Sequence, residues 1–259
     1  MDFSSAQISA LVGSFFWPFV RIAALLMTMP IIGTQLVPSK IKLLMAVIIS
    51  SLVVPNLPAM PLVDAISADG VLIVVQQLLI GILMGFALQL VFGALMVGGQ
   101  VIAMSMGLGF ASMTDPLNGI SVPAVGQLFV MAATLLFLIM DGHLAVIEVL
   151  TESFRLIPIG STGLEADGFW QLLQWANILF VGAMLMALPT VASVLLVNLA
   201  FGVMMKAAPQ FNIFSVLFPV TIIFGFFVIM ITLPSFLPTF SDMVASVFDL
   251  YRDVGIMSR

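Results

Sequence analysis

Between Asp69 and Asp115 no residue is charged, and the same holds for residues 168–205 and 207–241. A helix needs roughly 20 predominantly apolar residues to cross the hydrocarbon of a bilayer, so each run can cross it with residues to spare. A soluble fold could not surround these runs with water-facing charge. Only 7% of the 259 residues are charged and 62% are hydrophobic, against about 25% charged in soluble domains. The runs are rich in Leu, Ile, Val and Met and lack the short apolar–polar alternation of a transmembrane β-barrel. The chain therefore reads as an all-α, polytopic helical membrane protein, a single integral-membrane domain over residues 1–259.

Other classes fall away on charge and composition. The net charge is −5 and the basic residues are not clustered, which argues against nucleic acid as a partner. Cys is absent, so there are no disulfides and no thiolate metal sites. No basic residue precedes Arg21. A cleaved signal peptide opens with a basic region, so the first apolar helix is expected to remain in the protein.

Charges and prolines divide the chain into about six apolar helices, at roughly residues 8–33, 41–57, 71–104, 124–156, 169–205 and 211–237. A short amphipathic helix is expected within 239–259. Pro55, Pro58 and Pro61 close the second helix early. The third and fifth, at about 1.5 Å per residue, reach about 50 Å, well beyond a ~30 Å hydrocarbon core. Tilt of about 20° removes only a few per cent of that height. A kink at Gly98-Gly99 or at Pro189 would absorb more, and otherwise the surplus apolar surface must be covered by protein. Length alone thus predicts a large oligomer. Lys40, Lys42 and Lys206 on one side, against Asp64, Asp69 and the acidic 141–167 segment, put the N-terminus outside by the positive-inside rule. Six crossings would put the C-terminus there too, against Arg252 and Arg259, so one apolar element is expected not to cross.

The segment MSMGLGFASMTDPLNGISVP, residues 104–123, interrupts two apolar runs with glycine, proline, Asp and Asn while staying apolar itself. Gly107-Leu-Gly109 lacks the third glycine, the preceding strand and the following Lys of nucleotide loops. Two readings stand: a plain inter-helix turn, or a re-entrant loop at a pore. Irregular backbone at membrane depth is tolerated only inside protein or along a water-filled cavity. Met104, Met106 and Met113 could seal a deformable opening there, because thioethers conform to irregular shapes; most of the other methionines read as core filling.

Arg21 lies inside the first apolar run, so it either has a partner in protein or snorkels to an interface. Asp141, His143, Glu148, Glu152 and Arg155 cluster near the end of the fourth run, with Glu148 and Glu152 on one helix face. A solvated or partner-facing helix end accounts for them better than a catalytic site, since HExxH and Ser-His-Asp spacings are missing. Gly81-Ile-Leu-Met-Gly85 permits close helix contact, and Gln76, Gln77, Gln89, Gln100 and Gln127 could tie helices together at about 0.6 kcal/mol each. Between the fifth and sixth runs, Pro209 stops the helix, and Gln210 and Asn212 can bond the freed backbone ends.

The ordered set of Phe19-x-Arg21 with Pro30, Pro38 and Lys42, of Gly99-Gln100 leading into Met106-Gly-Leu-Gly109-Phe110 and Asp115-Pro116, and of Ala208-Pro209-Gln210-Phe-Asn212-Ile-Phe214 resembles the FliR/SctT family of type III secretion export-gate subunits. The resemblance covers the whole chain and is closer to flagellar than to virulence members. It implies a bacterial inner-membrane subunit at the flagellar basal body, without catalysis, cofactor or metal. Such a subunit assembles with FliP- and FliQ-like subunits into a helical multi-subunit gate in membrane lipid, beside FlhA- and FlhB-like proteins. The gate conducts unfolded export substrates. The resemblance further implies a FliP-like part at 1–205 and a FliQ-like part at 206–259. It makes the 106–122 segment a pore plug carried by Met106, Gly107, Leu108, Gly109, Phe110, Met113, Asp115 and Pro116. Arg21, Gly99, Gln100, Pro209, Gln210 and Asn212 then serve structure and assembly. The rival reading is a secondary transporter with helices broken at Gly98-Gly99 and Pro189 and with Arg21 and Glu148 as coupling charges. An intramembrane enzyme lacks any paired catalytic constellation.

Overall fold

A computed structural model describes residues 5–57, 61, 63, 67–108, 124–160, 166–207 and 213–257, with the side chains of 5–12, 166 and 213–215 left aside. Among the described residues every regular element is helical. In chain order they are α1 (Ser5–Thr28), α2 (Ser39–Val53) with a 3₁₀ turn at Val54–Asn56, α3 (Ala68–Ser105), α4 (Ala124–Ile139), α5 (Gly142–Leu156), α6 (Ala166–Trp175), α7 (Ile178–Ala207) and α8 (Ile213–Asp253).

The count of six spanning helices is corrected to about five. Four stretches are long and apolar enough to cross a membrane: Ser39–Asn56, Ala68–Ser105, Asp167–Ala207 and Val216–Asp253. A fifth appears if the bent pair α4–α5 is one span, and the described side chains of α1 form a shorter apolar stretch, Gly13–Thr28. The expected fourth helix breaks at Met140–Asp141, where Asp141 takes a left-handed conformation with φ 56°, one that Asp tolerates better than most residues. Its carbonyl accepts from Leu144 and Ala145 and starts α5 afresh. By length and composition this pair is either one broken span or a re-entrant element, bent by 66°. The expected fifth helix holds as one candidate span, Asp167–Ala207, with a short turn at 176–177 between α6 and α7. The Asn177 carbonyl takes the amides of Phe180 and Val181 at 3.0 Å and opens the second of them.

The two breaks of the rival transporter reading are absent. Gly98-Gly99 lies inside α3 and Pro189 inside α7, both uninterrupted helices. The expected separate tail helix is instead the end of α8, which continues through Pro234 and Pro238 to Asp253. Phe240, Met243, Val244, Val247, Leu250 and Tyr251 are all buried, and their three- and four-residue spacing carries one helical stripe across the expected boundary. Hydroxyls beside the prolines bond helix carbonyls, Thr232 to Val228 and Thr239 to Ser235, as membrane helices with proline generally require.

Contacts divide the chain into two compact units. The first contains Met1–Leu90, Phe137–Ala176 and Val244–Arg259. In it the Gly81 and Gly85 pair of α3 meets α1 backbone to backbone. A Cβ on Gly81 would stand 2.7 Å from the Ala24 Cβ, and one on Gly85 would stand 2.8 Å from the Met29 amide nitrogen. Tyr251 of α8 donates its hydroxyl to the Met84 carbonyl of α3, beside Gly85. Helix α8 then ends at Gly255, φ 78°, where the Ile256 amide reaches the Tyr251 carbonyl at 2.7 Å and the Gly255 amide reaches Arg252 at 3.1 Å. This is a Schellman cap with its apolar residue, Ile256, buried.

The second unit contains Val91–Leu136 and Asn177–Met243. Again α3 offers glycine at each close approach. Gly98 abuts the Ala183 carbonyl of α7, where a Cβ would stand at 2.9 Å, and Gly99 faces the Gly126 backbone of α4. Phe129, Phe236 and Phe240 stack in series, at 5.4 and 6.1 Å between centroids.

The glycine contacts make a direct prediction. Gly85→Val is expected to destabilise the protein by about 3 kcal/mol, the upper range for overpacking. By contrast Gly202→Ala in α7, where a Cβ would meet nothing within 4 Å, should be neutral or stabilise by about 0.5–1 kcal/mol. Unfolding midpoints in mixed detergent micelles would measure both.

Candidate functional site

Arg21 is fully buried in α1, so it has a partner in protein rather than a snorkelling route to an interface. The close α1–α3 contact at Gly81 brings it beside Gln77, one turn earlier on α3. Its Nε donates to Gln77 Oε1 at 2.8 Å. Nη1 donates to the Ser153 carbonyl at 2.9 Å and to Ser153 Oγ at 3.1 Å, and Nη2 donates to the Ile157 carbonyl at 2.9 Å. The guanidinium also lies 4.3 Å from the centre of the Phe154 ring, within cation–π range. One planar fork thus joins α1, α3 and the carboxyl end of α5 inside the first unit. Of the partners, Gln77 had been singled out as a polar residue in an apolar run. Ser153, Phe154 and Ile157 carried no sequence signal, lying more than 130 positions away.

The acidic cluster sits on the opposite face of α5. Its buried face is Gly142, Val146, Val149, Leu150, Ser153 and Phe154. Glu148, Thr151, Glu152 and Arg155 line an open depression with Leu156 and Met257. This is the partner- or solvent-facing arrangement expected of an amphipathic helix. Among the described residues no three His, Cys, Asp or Glu side chains are grouped to hold a metal ion.

In the second unit the interruption begins as a helix cap. Gly107 has φ 83°. Its amide reaches the Met104 carbonyl at 3.1 Å, and the Leu108 amide reaches Ala103 at 3.0 Å. That is the Schellman pattern, and only glycine adopts its left-handed position without penalty. The cap is seated on α8. A Gly107 Cβ would stand 3.2 Å from the Phe218 ring, the buried Met106 side chain occupies the space left by Gly225, and Thr221 Oγ1 donates to the Met106 carbonyl at 3.3 Å. Phe218, Thr221 and Gly225 recur every three to four residues and so share one face of α8. The sequence reading missed this socket, because it is made of common residues in an apolar helix.

The other expected site residues are distributed as follows. Leu108 is half-buried and Met104 exposed. Gly99 lies at the α3–α4 contact, and Gln100, next to it, is exposed. Gly109, Phe110, Met113, Asp115, Pro116, Pro209, Gln210 and Asn212 lie outside the described residues.

Long apolar helices, a buried cation held at a helix terminus and glycines at close helix contacts define a polytopic all-α membrane protein. Residues 12–247 match the family described as bacterial export proteins, family 1, and the chain belongs to that family. It is 36% identical over 254 residues to the flagellar biosynthetic protein FliR of Pectobacterium carotovorum subsp. carotovorum, covering 98% of this chain and 97% of the relative. The Escherichia coli K12 protein of the same name is 34% identical over the same shares. That of Bacillus subtilis strain 168 is 27% identical over 84% of this chain and 85% of its own length.

The cap predicts that Gly107→Val costs about 1–2 kcal/mol for the left-handed backbone, plus the contact with Phe218. Gly107→Asn should cost less, because Asn tolerates that conformation. Chemical unfolding of the two variants in parallel would separate the backbone effect from the contact.

Proposed function

We propose that this protein is an inner-membrane subunit of the flagellar type III export gate, acting in transport and not in catalysis. The observation that carries the reading is the match along nearly the whole chain to relatives named flagellar biosynthetic protein FliR. In this reading it assembles with FliP- and FliQ-like subunits at the basal body, beside FlhA- and FlhB-like proteins. Together they form a channel for unfolded substrates. Residues 1–205 form the FliP-like part and 206–259 the FliQ-like part.

The exposed surface supports assembly. Leu195, Leu196, Leu199 and Val203 of α7 and Ile223, Phe227, Met230 and Ile231 of α8 are all more than half exposed. At 38 residues α3 would be about 57 Å long and at 41 residues α8 about 62 Å, each roughly twice the hydrocarbon thickness. Neighbouring subunits would cover what lipid does not. The 106–122 segment is the plug. It starts from a fixed point, the Gly107 cap against Phe218, and its apolar side chains fill the closed lumen. Arg21, Gly99, Gln100, Pro209, Gln210 and Asn212 serve packing and assembly.

Because the chain has no Cys, single Cys substitutions from Ser105 to Ser121 can be read with an impermeant thiol reagent in the assembled gate. Labelling that rises only when the gate opens is the expected result, and uniform labelling would mark a surface loop instead. In the same preparation, replacing residues 107–110 with short polar residues is expected to raise ion conductance before export falls. Unchanged conductance would count against the plug.

A further inference from the structure

We propose that Arg21 is the positioning residue of α5, acting as its carboxyl-terminal cap and taking the negative pole of that helix as its counter-charge. A buried guanidinium normally finds a carboxylate. Among the described residues all four of its hydrogen bonds end on neutral oxygens, those of Gln77, Ser153 and Ile157. Two of them are backbone carbonyls in the last turn of α5 and at its capping residue. The final carbonyls of a helix carry about half a negative charge between them, so the terminus supplies the missing counter-charge.

The helix ends support the same assignment. Helices α3 and α8 close with a left-handed glycine two residues past their last helical residue, Gly107 and Gly255. Helix α5 has Pro158 at the equivalent position, and its capping residue Ile157 has φ −117°, so no Schellman turn forms. The cap is provided instead by a side chain on α1. Because the same fork holds Gln77, it sets where α5 lies on α1 and α3. It thereby fixes the direction in which Glu148, Glu152 and Arg155 face outward.

The test uses the purified full-length chain in detergent and does not depend on the export-gate reading. Val149→Cys reports the buried face of α5, and Val53→Cys on α2 serves as the control; both positions are buried. Arg21→Lys keeps the cation and stem but loses the fork, so it is expected to disturb the fold less than Arg21→Gln. With Arg21→Lys, thiol labelling at position 149 is expected to rise about tenfold or more, as loss of charge-assisted hydrogen bonds would allow, with position 53 unchanged. Adding Pro158→Gly, which supplies the glycine cap found on α3 and α8, should reverse most of that rise. A purely space-filling role for Arg21 would not respond to a change at 158. Equal rises at 149 and 53, no rise at 149, or a rise that Pro158→Gly leaves intact would each overturn the proposal.

Discussion

Backbone-to-backbone contact along α3 is the constraint on which both units rest. Lipid tails are as apolar as leucine, so the hydrophobic effect does little to hold helices together within a bilayer. Close approach, with its dispersion and polar contacts, must do that work, and close approach needs small residues. In the first unit Gly81 and Gly85 admit α1. In the second, Gly98 and Gly99 admit α7 and α4. The longer-range polar bonds depend on this proximity. Arg21 reaches Gln77 because α1 sits against Gly81, and Tyr251 reaches the Met84 carbonyl beside the second glycine of the pair.

The same contacts explain why α3 is unbroken at Gly98-Gly99. Glycine lowers helix propensity by about 1 kcal/mol relative to alanine, which suggests weakness at a doubled glycine. Here the space where Cβ atoms would lie is filled by neighbouring backbone, so tertiary packing keeps the helix unbroken through the position where propensity is weakest. Both glycines of the 81/85 pair were legible as a contact motif. That Gly98 and Gly99 belong to the same category was not, because no spacing distinguishes a packed glycine from a flexible one.

Helix existence was legible throughout, since long uncharged runs leave few alternatives. Helix continuity was not. Met140–Asp141 and Ala176–Asn177 break runs whose apolar character barely changes, and each break turns on a single Asp or Asn at a helix start. Pro234 and Pro238, the stronger breakers by rule, interrupt nothing, because a buried stripe and neighbouring hydroxyls keep α8 whole. Arg21 stood out in sequence as a charge in an apolar run. Its partners stayed hidden, since a serine, a phenylalanine and a backbone carbonyl on a distant helix give no pattern to find.

The fate of Arg21 also bears on the rival transporter reading. A coupling charge must exchange partners as solute and ion come and go, which needs free donors and access to water. Arg21 lacks that access: it is buried, four hydrogen bonds engage all three of its nitrogens and its face is covered by Phe154. The two breaks that reading needs, at Gly98-Gly99 and Pro189, are continuous helix. The described part of the 104–123 interruption ends in the Gly107 cap, pinned to Phe218 and Thr221. A glycine fixed in this way is a poor swivel. If the apolar segment beyond it acts as a plug, any movement has to arise past Leu108, and Met106 and Gly107 belong to its mounting.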